Sequence, residues 1–110
     1  MANPMSTEEL ASQADRFQII DVRRGPVFEA SPKLIARAVW HNPEDVDGWA
    51  GHLDRTRPVV VYCVHGHQVS QGCADALEQA GLDARYLDGG FEKWAAESKP
   101  LVTKLGRVEL

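Results

Sequence analysis

The sequence is short of several things, and each shortage excludes a class of protein. It holds only two cysteines, Cys63 and Cys73, in 110 residues. A small secreted domain framed by disulfides carries more. It has no basic excess: 12 lysines and arginines stand against 16 acids, for a formal charge of −4. Binders of nucleic acid or of anionic membranes depend on such an excess, or on a basic stripe, and neither is present. No apolar run approaches the roughly 18 residues that cross a bilayer. Residues 1–10 are polar and acidic, without the basic and apolar regions of a secretory leader. The expectation is a cytoplasmic protein with reduced thiols that contacts neither nucleic acid nor membrane. Internal repeats, low-complexity segments and linkers are absent as well. A chain of this length is expected to form a single domain over 1–110, with 100–110 as a C-terminal tail.

What is present suits an ordinary core. Hydrophobic residues make up 44% and charged residues 25%, enough apolar surface to offset chain entropy. Ser6 or Thr7 can cap a first helix, with Glu8 and Glu9 complementing its positive end. Residues 17–20 read as a short strand ending at Asp21, broken by Gly25-Pro26. One helical turn over 27–30 and a short strand over 38–40 follow. Asn42-Pro43 opens a helix with Val46, Trp49, Ala50 and Leu53 on one face. Val59-Val60-Val61-Tyr62 is β-branched and does not alternate, the pattern of a central parallel strand buried on both faces. A helix over 70–80 then presents Cys73, Ala74, Leu77 and Ala80 inward, with Gly81 as its cap. A strand over 84–87 and a helix over 91–97 complete the pattern. Strand and helix alternate, so the class is α/β with a mainly parallel sheet.

In such sheets ligands bind beyond the carboxyl ends of the strands. Cys63 directly follows the central strand. Val64, His65, Gly66 and His67, then Gln68, Val69 and Ser70, lead from it into the next helix. Loop N–H groups and a helix N-terminus converge on a cysteine so placed. Both stabilise negative charge, on the sulfur or on a bound anion. Gly66 lets the loop fold tightly around the sulfur. Cys63 is therefore read as a nucleophile, and Val64 through Ser70 as its substrate pocket. The alternative for an isolated cysteine is a buried structural residue.

His65 and His67 line the rim of that pocket or are exposed loop histidines. With Cys63 they resemble a metal tripod, but alternate residues of an inward-wrapping loop need not converge, and no CxxC or HxxxH pair supports them. No metal is expected. Cys73 is either a resolving thiol or, sharing a face with Leu77 and Ala80, a small core residue; the second reading is preferred. Asp21 and Arg23 read as an ion pair or brace beside the loop. Trp49, Phe91 and Trp94 read as core, Glu44, Asp45 and Asp47 as a solvated helix start, and His41 and His52 as surface residues.

Three segments go further together than singly: Ile19-Ile20-Asp21-Val22-Arg23, Val59-Val60-Val61-Tyr62-Cys63 with Gly66, and Asp88-Gly89-Gly90-Phe91-Glu92-Lys93-Trp94. In this order and spacing they resemble the rhodanese-like family of single-domain sulfurtransferases. The resemblance implies a small, twisted, mainly parallel five-stranded sheet with helices on both faces. It implies that Cys63 carries a sulfane sulfur as a persulfide, moved from thiosulfate or a similar small-molecule donor to a thiol or cyanide acceptor. A sulfur-accepting protein is a candidate acceptor. No cofactor is implied, and a monomer is expected.

The sequence also departs from that pattern. No arginine lies between Cys63 and Ser70, and Ile35-Ala36-Arg37-Ala38 stands where the family usually has Ile-Pro-Gly-Ala. If Ser70 opens the helix, Cys63 to Val69 makes a seven-residue loop, where family loops commonly hold six. Phosphatases and arsenate reductases of the same fold have seven-residue loops with the pattern Cys-x5-Arg, and here Val69 takes the arginine's place. A phosphate dianion wants that bidentate arginine, so an arsenate or phosphate enzyme is disfavoured. A non-catalytic binding or sensor module is the other alternative. The missing loop arginine favours it, and the retained Cys63 opposes it.

Overall fold

The most apolar run of the chain is also the centre of its sheet. The computed structural model describes residues 2–104. In it, β5 (Val59–Tyr62) is buried at every position. Its neighbours are β2 (Gln18–Asp21) and β6 (Ala84–Leu87), and β4 (Val39–Trp40) and β1 (Asn3–Met5) form the edges. The five strands run in the order β1-β6-β5-β2-β4, and every pairing is parallel.

The two faces of β5 explain its unbroken hydrophobicity. Val59 and Val61 enter one core with Trp49, Ala74 and Leu77. Val60 and Tyr62 enter another with Leu10, Leu87 and Trp94. The first core is closed by α3 (Val46–Ala50) and α4 (Gln68–Gln79), the second by α1 (Thr7–Ser12) and α5 (Gly90–Ala96). Successive side chains of a strand point to opposite faces, so a strand covered on both faces is apolar throughout. This is the α/β architecture expected, with helices on both sides of a five-stranded parallel sheet.

Local signals act as expected at several ends. The Ser6 hydroxyl accepts the Glu9 N–H at 3.0 Å and caps α1. Gly81, with φ +92°, closes α4. Its N–H donates to the Glu78 carbonyl at 3.0 Å, and the Leu82 N–H to the Leu77 carbonyl at 3.0 Å. Asn42 caps a 3-10 turn over Pro43–Asp45 that leads into α3.

Two expectations need correction. The first concerns the segment from residue 100. Leu101–Thr103 form β7, paired antiparallel with β3 (Lys33–Ile35), so this part is not a free tail. The Lys104 N–H also donates to the Pro32 carbonyl at 2.9 Å. Residues 105–110 lie outside the described residues. The second concerns the loop after β5. Helix α4 opens at Gln68 rather than Ser70, so the seven-residue loop is in fact a shorter loop plus part of the first helical turn. The Gln71 N–H reaches back to the His67 carbonyl at 3.0 Å, and its side-chain amide to the Gly66 carbonyl at 3.1 Å. Ser70 lies inside the first helical turn, where its hydroxyl accepts from the Cys63 thiol. Among the described residues, no helix is long and apolar enough to cross a membrane.

Candidate active site

Asp21 and Tyr62 are register partners on β2 and β5. The segments leaving the carboxyl ends of these strands therefore run side by side. One is the Cys63 loop. The other is Val22–Arg24, which enters α2 (Gly25–Ala30). Between them lies an open cleft of about 550 Å³. The loop contributes Cys63, Val64, His65 and His67, and the first turn of α4 contributes Gln68 and Val69. The opposite wall is Arg23, Arg24 and Val27. Gly66 and Ser70, also expected at the site, are buried and do not line the cleft.

The shape of the loop follows from what its carbonyls bind. The Cys63 carbonyl accepts the Phe91 N–H at 2.8 Å, and the Val64 carbonyl accepts the Glu92 N–H at 3.0 Å. These donors belong to the first turn of α5, which has no intrahelical partners for them. Among the described residues, the N–H groups of Val64, His65, Gly66 and His67 donate to no protein acceptor. Unspent successive N–H groups are what an anion-binding loop needs.

Two glycines permit this close approach. Gly66 has φ +75°, and a Cβ there would lie 2.7 Å from the Leu87 carbonyl oxygen. Gly90 has φ +61°, and its Cβ would lie 2.5 Å from the Cys63 carbonyl oxygen and 2.6 Å from that of Val64. Gly90→Ala is expected to cost about 2–4 kcal/mol, from the left-handed backbone and the overlap with backbone oxygens. It should also slow alkylation of Cys63. Urea unfolding and iodoacetamide rates measure the two effects. A cost below about 1 kcal/mol with unchanged alkylation would contradict this account.

Cys63 is only 6% exposed, and its thiol donates to the Ser70 hydroxyl at 3.2 Å. Once the sulfur is ionised, that hydroxyl can turn and donate to it. His65 Nδ1 lies 3.1 Å from Glu92 Oε1, and both side chains are exposed. Among the described residues, no group of three or more His, Cys, Asp or Glu side chains is placed to hold a metal ion.

Cys73 sits in the core between α4 and the sheet. Burial first, and the charge of Cys63 second, push its thiol up to about 11. It is a core residue and stays protonated near neutral pH. Trp49 and Trp94 are buried, and Phe91 packs against the second core.

Beneath the cleft lies a buried polar network. Arg23 Nη2 meets Asp21 Oδ2 at 2.6 Å and donates to the Lys33 carbonyl at 3.0 Å. The Tyr62 hydroxyl donates to Asp21 Oδ2 at 2.9 Å and accepts the Ile35 N–H at 3.1 Å. Burial, and then the Asp21 carboxylate, raise the Tyr62 pKa and keep that hydroxyl a donor. The Arg23 guanidinium also lies 4.3 Å from the Phe91 ring centroid. The expected brace is thus present, and it ties β2, β3, β5 and α5 together under the loop.

Sequence reasoning missed Arg24 and Val27 as cleft residues. The signal was available only through strand adjacency. Once β2 is known to pair with β5, the residues after Asp21 must flank the residues after Tyr62.

Comparison with known proteins agrees with this geometry. The profile described as Rhodanese-like domain matches residues 6–97. The chain is 39% identical over 84 residues to the thiosulfate sulfurtransferase GlpE of Shewanella oneidensis, covering 76% of this chain and 80% of that one. Its fold is similar to a rhodanese-related protein from Thermoplasma volcanium, with a TM-score of 0.81 at 25% identity, covering 91% of this chain and 97% of that one. It is also similar to a rhodanese-like domain from an Anabaena protein, with a TM-score of 0.78 at 26% identity, covering 98% of this chain and 84% of that one. The family inferred from three short sequence segments is therefore the one to which the whole domain conforms, and this chain belongs to the rhodanese-like domain family.

Proposed function

We propose that this protein is a sulfurtransferase that moves a sulfane sulfur from thiosulfate, or a similar donor, to a thiol or cyanide through a persulfide on Cys63. One observation carries this reading. The Cys63 sulfur lies at the carboxyl end of the central strand, in a cleft whose loop holds unspent N–H donors. The thiosulfate sulfurtransferase named above, 39% identical, supports the same reading.

The Cys63 thiolate attacks the outer sulfur of thiosulfate. A sulfur–sulfur bond forms at Cys63, and the bond to the sulfonate breaks. The electron pair leaves with sulfite, and the enzyme retains a persulfide. An acceptor thiolate then attacks the outer sulfur of that persulfide, forming a new persulfide and returning Cys63 as thiolate. Two successive displacements imply ping-pong kinetics. Loop N–H groups receive the charge that develops on the departing sulfite. No metal or organic cofactor enters this scheme.

The testing experiment measures sulfite release from thiosulfate, with and without a thiol or cyanide acceptor. One equivalent of sulfite per protein without acceptor, and continuous turnover with it, is the expected result. A protein that binds thiosulfate without releasing sulfite would be a binding module instead.

The same loop predicts what the protein does poorly. Val69 lines the cleft from the first turn of α4, so the loop supplies no guanidinium of its own to a group it cradles, and the exposed Arg24 belongs to the opposite wall. Losing one charge-assisted contact at a transition state costs roughly a hundred- to a thousandfold in rate. Hydrolysis of an aryl phosphate is expected to be negligible, and Val69→Arg to tighten oxyanion binding. Robust phosphatase turnover that disappears in Cys63→Ser would overturn this assignment.

A further inference from the structure

The wall of the cleft that faces the Cys63 loop carries Arg24, whose guanidinium has no partner among the described residues. We propose that Arg24 determines specificity for anionic donors by holding the sulfonate group of thiosulfate while Cys63 takes its outer sulfur. The inference rests on the sulfurtransferase reading, and it adds a residue on the opposite side of the cleft from the loop.

Four observations carry it. Arg24 lines the cleft that contains Cys63, and it is exposed. Among the described residues, its side chain makes no hydrogen bond or ion pair. Neighbouring Arg23 cannot serve, because it is buried and already bound to Asp21 and the Lys33 carbonyl. Arg16, Arg55, Arg57 and Arg85 are likewise engaged, and Arg37 lines other surfaces.

The backbone at Arg23 and Arg24 is held by hydrogen bonds. Its carbonyl accepts the Phe28 N–H at 2.9 Å as α2 opens, and the Arg23 carbonyl accepts the Trp40 indole N–H at 2.8 Å. The cleft also suits an anion by what it lacks. Among the described residues, no carboxylate lines it, and Val27, Val64 and Val69 make it partly apolar. A charge beside apolar walls is screened less than one in open water.

The chemistry of thiosulfate fits this two-sided arrangement. Its reacting sulfur and its sulfonate are at opposite ends. With the outer sulfur on Cys63, the sulfonate oxygens can accept from the loop N–H groups and from Arg24 together. A planar guanidinium matches two such oxygens at once, which an ammonium does not. A donor whose leaving group is a simple thiolate has no oxyanion for Arg24 to hold.

The test compares the wild type, Arg24→Gln, Arg24→Lys and Cys63→Ser in the first half-reaction. Persulfide formation is followed with two donors: thiosulfate, and 2-mercaptoethanol persulfide, which has no sulfonate. In Arg24→Gln, the thiosulfate concentration for half-maximal loading is expected to rise about tenfold, with a much smaller change in the maximal rate. Loading from the alkyl persulfide should be unchanged, and Arg24→Lys should recover part of the loss. Added salt should weaken thiosulfate saturation in the wild type and have less effect in Arg24→Gln. Equal thiosulfate saturation in the wild type and Arg24→Gln overturns the role of Arg24 and leaves the function of Cys63 intact. Equal losses with both donors also overturn it, since they indicate a distorted cleft. A wild-type protein loaded by neither donor overturns the sulfurtransferase reading itself.

Discussion

Cys63→Ser is expected to abolish sulfur transfer, with a loss of at least about a thousandfold, while Cys73→Ser keeps most of the activity. A serine oxygen is a weak nucleophile at neutral pH and cannot carry the persulfide. Its hydroxyl can still bond the Ser70 hydroxyl that Cys63 contacts at 3.2 Å, so the fold should persist. Cys73 is as buried as Cys63 but does not line the cleft. It is packed against Leu77 and Ala74, and its thiol is pushed up to about 11, so little thiolate exists there near neutral pH. The cost of Cys73→Ser should appear in stability, at about 1–3 kcal/mol, because the shorter hydroxyl is buried and the Pro43 carbonyl that accepts from the Cys73 sulfur lies 3.9 Å from it. Sulfite release and urea unfolding on both variants separate these effects. Equal loss of transfer in two folded variants would point instead to a redox cycle that uses both cysteines.

Asp21→Ala should produce the largest loss of stability among the substitutions considered. Asp21 is fully buried and receives Arg23 and the Tyr62 hydroxyl. Its removal strands a buried guanidinium. Breaking a buried pair in this way costs about 3–5 kcal/mol, a large part of the roughly 5–15 kcal/mol that holds a domain together. Arg23→Met should be damaging too, because it leaves the carboxylate with the tyrosine hydroxyl and the Arg23 N–H alone. The double variant should lose less than the sum of the two, since the second change no longer orphans a charge. Chemical denaturation of the three variants tests this. A loss below about 1 kcal/mol for Asp21→Ala would mean that water or another group replaces the carboxylate easily.

Much of the fold could be read from short-range patterns. The run 59–62 announced a buried central strand because a strand covered on both faces leaves no polar position. Ser6 and Gly81 announced helix ends through groups that satisfy main-chain partners locally. The edge strand β4 was read from sequence at 38–40, but the edge strand β1 and the extra strands β3 and β7 were not readable in the same way. Three-residue strands such as β1, β3 and β7 are too short to show a period, and their partners are distant in sequence. Pairing of Ile35 with Leu101 is decided by packing and not by propensity.

The site divides along the same line. The sequence by itself determined the nucleophile candidate, the loop after it and the family, because these rest on consecutive residues and on short motifs in order. Only the tertiary structure decided that Ser70 holds the Cys63 sulfur, that Gly66 and Gly90 let α5 bind the loop carbonyls, and that Arg24 faces the cleft. Each of these joins residues on different elements. Their proximity is set by the parallel register of β2 against β5 and by the seating of α5 on the loop, and local sequence encodes neither.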